Sequence, residues 1–499
     1  MNYVIGLDIG TSGIKALLLS DEGKVVGGVT TEHSPVFSGN GYVEQDPAVW
    51  WDGTVAAINL LLKEHEHVRP DVAAICCSGQ MHSSVFLDKN LNVIRPAILW
   101  NDVRTSAQVS AINEGCGGRA NAVKYVYNPV LEGFTLPKII WLRDNEPENF
   151  RRVSKVIMPK DYINFLLTGN VFTDYSDAAG TAALDVRNRR WSADMARAAG
   201  LSEDIWPEAV ESAQIVGRLK KEAAALLGLP ESVVVAAGGA DNSCGGIGNG
   251  MIAPGQAVVS VGTSGTVIAF LDGIGGEVTG DIHLFNYSYP KSYYAMGCML
   301  SAGQCVNWLK NNIIKDISFA DINKLAAESG PGAGGVVFLP YLFGERCPYP
   351  DANARGVFFG LSGSTTDGDL ARAVMEGVAF GLADMYKLVE RQVKITQLRV
   401  TGGGAKSAVW GQIIADILGR EMNILSIEEG AAFGSALIGA VSGGLFPSFE
   451  AACAKCVEIS KTITPNPATA ETYARIHKTF SGLYQANKAL FAENNWERK

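Results

Sequence analysis

Two carboxylates and two matching turns carry the chemistry that is legible in this chain. Asp8 ends an apolar run and is followed by Gly10-Thr11-Ser12-Gly13. About half the chain later, Ala257–Val261 runs into Gly262-Thr263-Ser264-Gly265. Glycines at a strand-to-strand turn can take backbone angles that larger residues avoid, and converging N–H groups there can grip an anion such as a phosphate. Thr and Ser hydroxyls add donors at little bulk. Only the first copy carries an acid. An aspartate aimed into a phosphate site is repelled unless a cation lies between them, so Asp8 implies Mg²⁺. One such turn alone is better read as an ordinary hairpin; two in the same apolar context point to phosphate and to two domains of one design.

The second carboxylate is Asp241. Val233–Ala237 reads as a strand that delivers Asp241-Asn242 through Gly238-Gly239-Ala240. Transfer of a phosphoryl group to a hydroxyl needs a group that accepts the proton and aims the oxygen. A helix-capping aspartate is the competing assignment. A polar row, Ser78-Gly79-Gln80-Met81-His82, follows another apolar run. The C-terminal ends of sheet strands are where open α/β sheets bind ligands. His82 suits a sugar hydroxyl or carbonyl, and equally a structural role. Trp100-Asn101-Asp102 offers an aromatic face with polar neighbours, which suits a polyol. Leu398–Thr401 running into Gly402-Gly403-Gly404-Ala405, with a helix from Ser407, makes a nucleotide-binding corner; close strand–helix packing is the alternative. No Gly-Lys pair is followed by Ser or Thr, which argues against P-loop chemistry.

The elements that must hold these residues follow from pattern. Tyr3–Asp8, Ile14–Ser20 and Val25–Thr31 read as a strand meander. Asp46-Pro47 starts a helix whose buried stripe is expected at Val49, Gly53, Ala56, Ala57, Leu60 and Leu61. Val72–Cys77 is a strand covered on both faces. In the second half, Ala257–Val261 and Thr266–Leu271 flank the turn, Tyr293–Met299 adds a strand, and a helix starts at Gly303. A boundary is expected near 245–255, where Gly245, Gly246, Gly248 and Gly250 cluster and suit a hinge. Residues 1–248 would then form one domain and 249–499 the other, ending in amphipathic helices from about Thr464. The order strand, strand, strand, helix, strand resembles the core of actin-type ATPase domains, which implies an α/β fold class: two actin-like (ribonuclease H-like) ATPase domains flanking a catalytic cleft.

Composition sets the outer limits. A chain of 499 residues exceeds one ordinary domain, and 47% apolar residues can fill two cores. A net charge of −9 with no basic run excludes a general nucleic-acid binder. No leader peptide and no apolar stretch near ~20 residues is visible, so a cytoplasmic protein without a membrane span is expected. The nine cysteines fit that setting. Cys453 and Cys456 have no second pair at metal-site spacing and read as one helical face.

With those residues in view, the chain resembles the FGGY carbohydrate kinases, and within them the branch that phosphorylates xylulose. The resemblance runs from Tyr3 to about residue 445. It rests most on Asp8–Gly13, Ser78–His82, Arg95–Asp102, Met158–Tyr162, Ser176–Thr181, Asp241-Asn242, Gly262–Gly265, Gly344-Glu345-Arg346, Gly356–Leu361 and Gly402–Ala405. It implies ATP-dependent phosphorylation of D-xylulose at its 5-hydroxyl, with Asp241 as proton acceptor. Met81 and His82 would contact the sugar, with Asn242, Asp102 and Trp100 as neighbours. Asp8 would place Mg²⁺ and phosphate. Thr11, Ser12, Lys15, Gly262 and Thr263 would lie by the ATP phosphates, with Gly303, Gly403 and Gly404 lining the nucleotide site. Related enzymes are often dimers, so a homodimer is open. Ser83, Ala240 and Val103 stand where such enzymes usually have glycine. Competing readings are a sister kinase for ribulose or gluconate, or a non-catalytic actin-like sugar sensor.

Overall fold

The computed structural model describes residues 1–275, 278–427 and 429–493. The chain forms two compact units that interleave in sequence. Met1–Ile252, Asp272–Tyr294 and Glu429–Glu458 make the first; Ala253–Leu271, Ala295–Glu428 and the chain from Ile459 make the second.

In the first unit, β1 (Tyr3–Ile9), β2 (Gly13–Ser20), β3 (Val25–Glu32), β4 (Val72–Gly79) and β5 (Val234–Ala240) form one sheet in the order β5-β4-β1-β2-β3. Ile215–Arg218 adds an edge strand beside β5. β1 pairs antiparallel with β2 and parallel with β4, and β4 runs parallel to β5. The apolar runs are buried: Ile5, Leu7, Ile75, Cys77, Val235 and Ala237 belong to one core. Buried parallel strands need apolar residues on both faces, which is why these segments do not alternate with polar residues.

The second unit repeats the plan. β6 (Gln256–Val261), β7 (Gly265–Leu271), β8 (Tyr293–Met299), β9 (Gln397–Thr401) and β10 (Met422–Leu425) lie in the order β8-β7-β6-β9-β10. β6 pairs antiparallel with β7 and parallel with β9, and β9 parallel with β10. The duplicated turn signature therefore marks the same corner of two like sheets. The helix Ala470–Glu493 buries Tyr473, Ile476, Phe480 and Leu483 against Val337, Leu339 and Phe380. Positions 494–499 of that expected helical end lie outside the described residues.

Three local expectations need correcting. Helix α1 (Pro47–Glu64) starts as read, with the Asp46 carboxylate accepting from Ala48 N–H and Pro47 in the first turn. Its buried face, however, is Trp50, Thr54, Ala57, Ile58, Leu61 and Leu62, while Val49 and Leu60 are exposed. The face is turned because Trp50 goes inward, its ring N–H donating to buried Gln45 at 2.7 Å. Second, the glycines of the two signature turns do not need left-handed angles: none of Gly10, Gly13, Gly262 or Gly265 has positive φ. At Gly10, Gly13 and Gly265 neighbours are too close for a side chain, whereas a Cβ at Gly262 would meet only an ordinary contact, 3.7 Å from the Ser264 carbonyl. A Cβ at Gly13 would lie 2.7 Å from the Thr31 carbonyl, and one at Gly265 would lie 2.9 Å from Met299. Third, Gly245, Gly246 and Gly248, read as a hinge, sit inside helix α2 (Asp241–Gly248). Gly248 allows close packing on the helix Gly430–Ser442: a Cβ there would be 2.9 Å from the Gly430 carbonyl.

Candidate active site

Register brings the first unit's chemistry to one edge. On the three parallel strands, Asp8 lies abreast of Ser78, Ser78 abreast of Gly239, and Gly79 abreast of Ala240. Beyond those strand ends follow Gly10–Gly13, Gln80–His82 and Asp241-Asn242. Residues distant in sequence are thus neighbours because strands β1, β4 and β5 end at the same level.

Asp241 opens helix α2 as its first residue; the capping position is Ala240. Its Oδ1 accepts from the Asn242 backbone N–H at 2.6 Å and the Asn242 side-chain amide at 2.9 Å. Burial, and then the like charge of Asp8, push its carboxyl up to about 7, against the opposing pull of Asn242. Asp8 is itself raised by burial, offset by the Ser78 hydroxyl and the Lys15 ammonium. Its buried Oδ1 has no hydrogen-bond partner among the described residues. Two neighbouring carboxylates, each unsettled by burial and one with an unmet oxygen, fit a hard divalent cation that keeps most of its ligands from water and phosphate. No larger cluster of His, Cys, Asp or Glu suited to a metal occurs among the described residues. Asp8, Ser12, Gly13 and Lys15 line a cavity of about 590 Å³ together with Glu32 and His33. Lys15 is ion-paired with Glu429.

Met81 touches Asn242, and His82 follows it beyond the same strand end. The Met81 sulfur receives the Asn242 amide at 3.9 Å and the Tyr294 hydroxyl at 3.8 Å, both long contacts to a weak acceptor. His82 has φ +66, a left-handed backbone. Its ring stacks on Phe134 with centroids 4.3 Å apart, and Nδ1 donates to the Gly180 carbonyl at 2.5 Å. Trp100 is 37% exposed, the right state for a face that meets a ligand. Its ring N–H donates to the Thr11 hydroxyl at 2.9 Å, and Thr11 donates to Gln80 at 3.3 Å. The Ser83 hydroxyl donates to Gln80 and accepts the Trp100 N–H, each at 3.1 Å. Ser83 thereby couples the Trp100 loop to the strand end, which a glycine there would not do.

Asp102 is not the sugar neighbour expected from the sequence. It is wholly buried. Its two oxygens accept from Val43 N–H at 2.6 Å and, bidentately, from the Arg104 guanidinium at 2.9 and 2.7 Å. Its acceptor positions are filled, so it holds the Trp100–Arg104 loop to the strand Tyr42–Gln45.

The second unit holds a separate cavity of about 570 Å³. Gly262, Thr263, Gly303, Gly403 and Gly404 all line it. The Gly303 and Gln304 N–H groups of helix α3 (Gly303–Asn312) donate to the Gly262 and Thr263 carbonyls at 2.8 and 3.1 Å. Those bonds require Gly303, where a Cβ would meet the Gly262 carbonyl at 2.6 Å. The glycine triplet divides its labour. Gly402 (φ +90) and Gly404 pack against Val261, where Cβ atoms would come within 2.7 and 2.4 Å. A Cβ at Gly403 meets nothing within 4 Å, so this residue is the open wall. Val261, Val306, Asn307, Phe319, Asn323, Met375, Lys406, Ser407 and Trp410 complete the lining, and the sequence did not single them out as cavity residues. The signal was present: Gly303, Val306 and Asn307 share one helical face, as do Phe319 and Asn323.

Comparison with known proteins fits this arrangement. The model of the FGGY family of carbohydrate kinases, N-terminal domain, matches residues 3–248, and that of the C-terminal domain matches 257–443. The chain belongs to the FGGY family of carbohydrate kinases. A xylulose kinase of Staphylococcus epidermidis is 39% identical over 491 residues, 98% of each chain. The crystal structure of a "xyloylose kinase" from Brucella ovis superposes with a TM-score of 0.92 at 36% identity, covering 98% of this chain and all (100%) of that one. A gluconate kinase from Lactobacillus acidophilus superposes with a TM-score of 0.93 at 26% identity, covering 99% of each chain. The family's fold is the two-domain, actin-like one anticipated from the duplicated signature.

Proposed function

We propose that this FGGY kinase transfers the γ-phosphoryl group of ATP to the 5-hydroxyl of D-xylulose, with Asp241 accepting the hydroxyl proton. The observation that carries the reading is the common level of Asp8, Gln80–His82 and Asp241 at three parallel strand ends, with the Asp241 carboxyl set near neutrality. A carboxyl near 7 is ionised enough to accept a proton at neutral pH and basic enough to hold it. Met81, His82, Asn242 and Trp100 contact the sugar. Asp8 would hold Mg²⁺, which would supply charge neutralisation at the transferred phosphate. Thr11, Ser12 and Lys15 meet that phosphate on the first unit; Gly262, Thr263, Gly303, Gly403 and Gly404 hold the nucleotide on the second. The sugar and base work thus falls to the N-terminal part and nucleotide binding to the C-terminal part. No described helix is long and apolar enough to cross a membrane; the cytoplasmic setting rests on the sequence reading alone, and a homodimer stays open from the family resemblance.

Relatives named xylulose kinases at 37–39% identity over nearly the whole chain support the sugar. The gluconate kinase of the same fold supports a second reading, since backbone shape alone does not separate the two substrates. The intact Asp8 and Asp241 weigh against a non-catalytic sensor. ADP release from Mg²⁺-ATP with D-xylulose, D-ribulose, L-ribulose, gluconate and glycerol, against a no-sugar blank, tests the reading. Selective turnover of D-xylulose is expected; selective turnover of another sugar would move the substrate, and none at all would favour a sensor.

Two site predictions follow from the geometry. His82→Ala is expected to raise KM for the sugar at least ~10-fold, as a lost hydrogen bond to substrate does, with KM for ATP within about twofold. Equal loss on both substrates would make His82 structural. Gly403→Leu should raise KM for ATP by ~10-fold or more, because its side chain enters the nucleotide cavity rather than the packed core. Its melting temperature should stay near wild type, and a large drop would refute the open-wall assignment.

A further inference from the structure

The family segments around Lys160 and Ser176 hold none of the reacting groups. Their side chains form a buried network. Lys160 is wholly buried and its ammonium contacts Asp161 at 2.5 Å, Asp174 at 3.0 Å and Asp177 at 3.6 Å. All three carboxylates are buried too. Burial opposes charge on Lys160, but the three carboxylates outweigh it and hold the ammonium well above its ordinary pKa. Asp174 Oδ2 accepts from the Ser176 N–H at 2.8 Å, the Ser176 hydroxyl at 2.6 Å and the Ser212 hydroxyl at 2.8 Å. The Ser176 oxygen in turn accepts the Ala240 N–H at 2.9 Å. Ala240 is the residue immediately before Asp241. At the other end of the short helix Tyr175–Ala179, the Gly180 carbonyl takes the Nδ1–H of His82.

We propose that Asp174–Gly180 is one positioning element that aims both Asp241 and His82: Ser176 fixes the backbone that carries the base, and Gly180 fixes the tautomer and tilt of the sugar-reading imidazole. This inference rests on the reading of Asp241 as base and His82 as sugar contact. A carbonyl only accepts, so this bond commits the Nδ1 proton of His82 and fixes the angle at which the ring meets the sugar. Gly180 has an ordinary helical backbone, yet a Cβ there would lie 2.8 Å from His82 Nδ1 and 3.1 Å from Met81 Cε. A methyl at that point pushes on the two sugar-contacting side chains and on nothing else within that distance. A buried ammonium with three carboxylates adds little as stability alone, since an apolar replacement often serves as well. As a rigid anchor for a strand end that carries a base it has a purpose: displacements near 1 Å at a reacting centre cost about 10²-fold.

Steady-state kinetics separates the two arms. Ser176→Ala is expected to lower kcat ~10-fold or more with both KM values within about twofold, and Ser176→Thr, which keeps the hydroxyl, to recover most of it. Gly180→Ala is expected to raise KM for D-xylulose ~10-fold or more with KM for ATP unchanged and kcat within about threefold. If Ser176→Ala does not fold, Ser176→Cys keeps the volume with a weaker acceptor and should lose kcat in the same way. Asp241→Ala and His82→Ala are the references. Retained turnover in Asp241→Ala would overturn the reading of the site and this inference with it. An inactive Asp241→Ala beside a Ser176→Ala of wild-type kcat would overturn the inference alone. So would a common rise in both KM values with a lowered melting temperature, the mark of a merely structural segment.

Discussion

Asp241→Ala is expected to lower kcat by ~10²-fold or more while leaving the affinities for sugar and ATP within a few-fold, as loss of a general base does. The expectation follows from where the carboxyl is and what surrounds it. It stands at the start of a helix on a strand end, with both donors of Asn242 on one oxygen, which leaves the other oxygen for a substrate hydroxyl. The helix start favours negative charge modestly, yet burial and the Asp8 charge hold the carboxyl near 7. The base works ionised, so kcat/KM for the sugar should rise with pH through neutrality and level off above it. Asp8→Asn removes the like charge and should shift that limb to lower pH, beside the loss of turnover from a weakened metal site. Stability runs the opposite way. The folded pKa lies above the ordinary carboxylate value of 3.8, so the group's contribution is complete below about pH 4 and is lost as pH rises through about 7. Asp241→Asn in metal-free buffer should therefore melt higher than wild type at pH 8, by about 2 °C or more, and show little gain at pH 4. A kcat within threefold of wild type for Asp241→Ala, or a loss confined to sugar KM, would remove Asp241 from the role of base.

Much of this was legible in residue order because the fold concentrates its chemistry at strand ends. An apolar run that stops at a polar, glycine-rich turn is both a secondary-structure signal and a site signal, so β1, β4, β5, β6 and β9 are legible together with the residues beyond them. The helix starts at Pro47 and Gly303 were legible from cap and spacing. What was not legible depends on distance in sequence. Asp102 looks like a sugar residue beside an aromatic; only the fold shows that Arg104 and Val43 occupy its oxygens. The Ser176–Ala240 bond spans 64 residues, and no local pattern reports it. Glycine was the most ambiguous letter. The same residue serves as open cavity wall at Gly403, as strand packing at Gly404 and as helix packing at Gly248. A sequence shows that a side chain is missing, not which neighbour required its absence.

That ambiguity yields a sharp contrast between two glycines that meet at the base-bearing helix. Gly434, on the helix Gly430–Ser442, faces α2 so closely that an added Cβ would lie 1.7 Å from the Cys244 carbonyl oxygen and 2.4 Å from its carbon. The same helix is pinned on its other side by the sheet: a Cβ at Gly6 would be 2.3 Å from the Ala432 carbonyl, and one at Gly439 would be 2.9 Å from Cys76 Cβ. The helix has no room to retreat, and the obstacles are backbone rather than flexible side-chain ends. Gly434→Ala should therefore cost about 3 kcal/mol or more, the upper range of overpacking. Since Cys244 lies one turn beyond Asp241 on α2, the folded fraction should also lose turnover. Gly245, the next residue on α2, meets nothing within 4 Å of an added Cβ. Gly245→Ala should instead gain about 0.5–1 kcal/mol from helix propensity. Denaturant midpoints of the two variants measured side by side decide the matter. Opposite signs are expected; a Gly434→Ala midpoint equal to wild type would mean that α2 and its partner helix are not held in backbone contact.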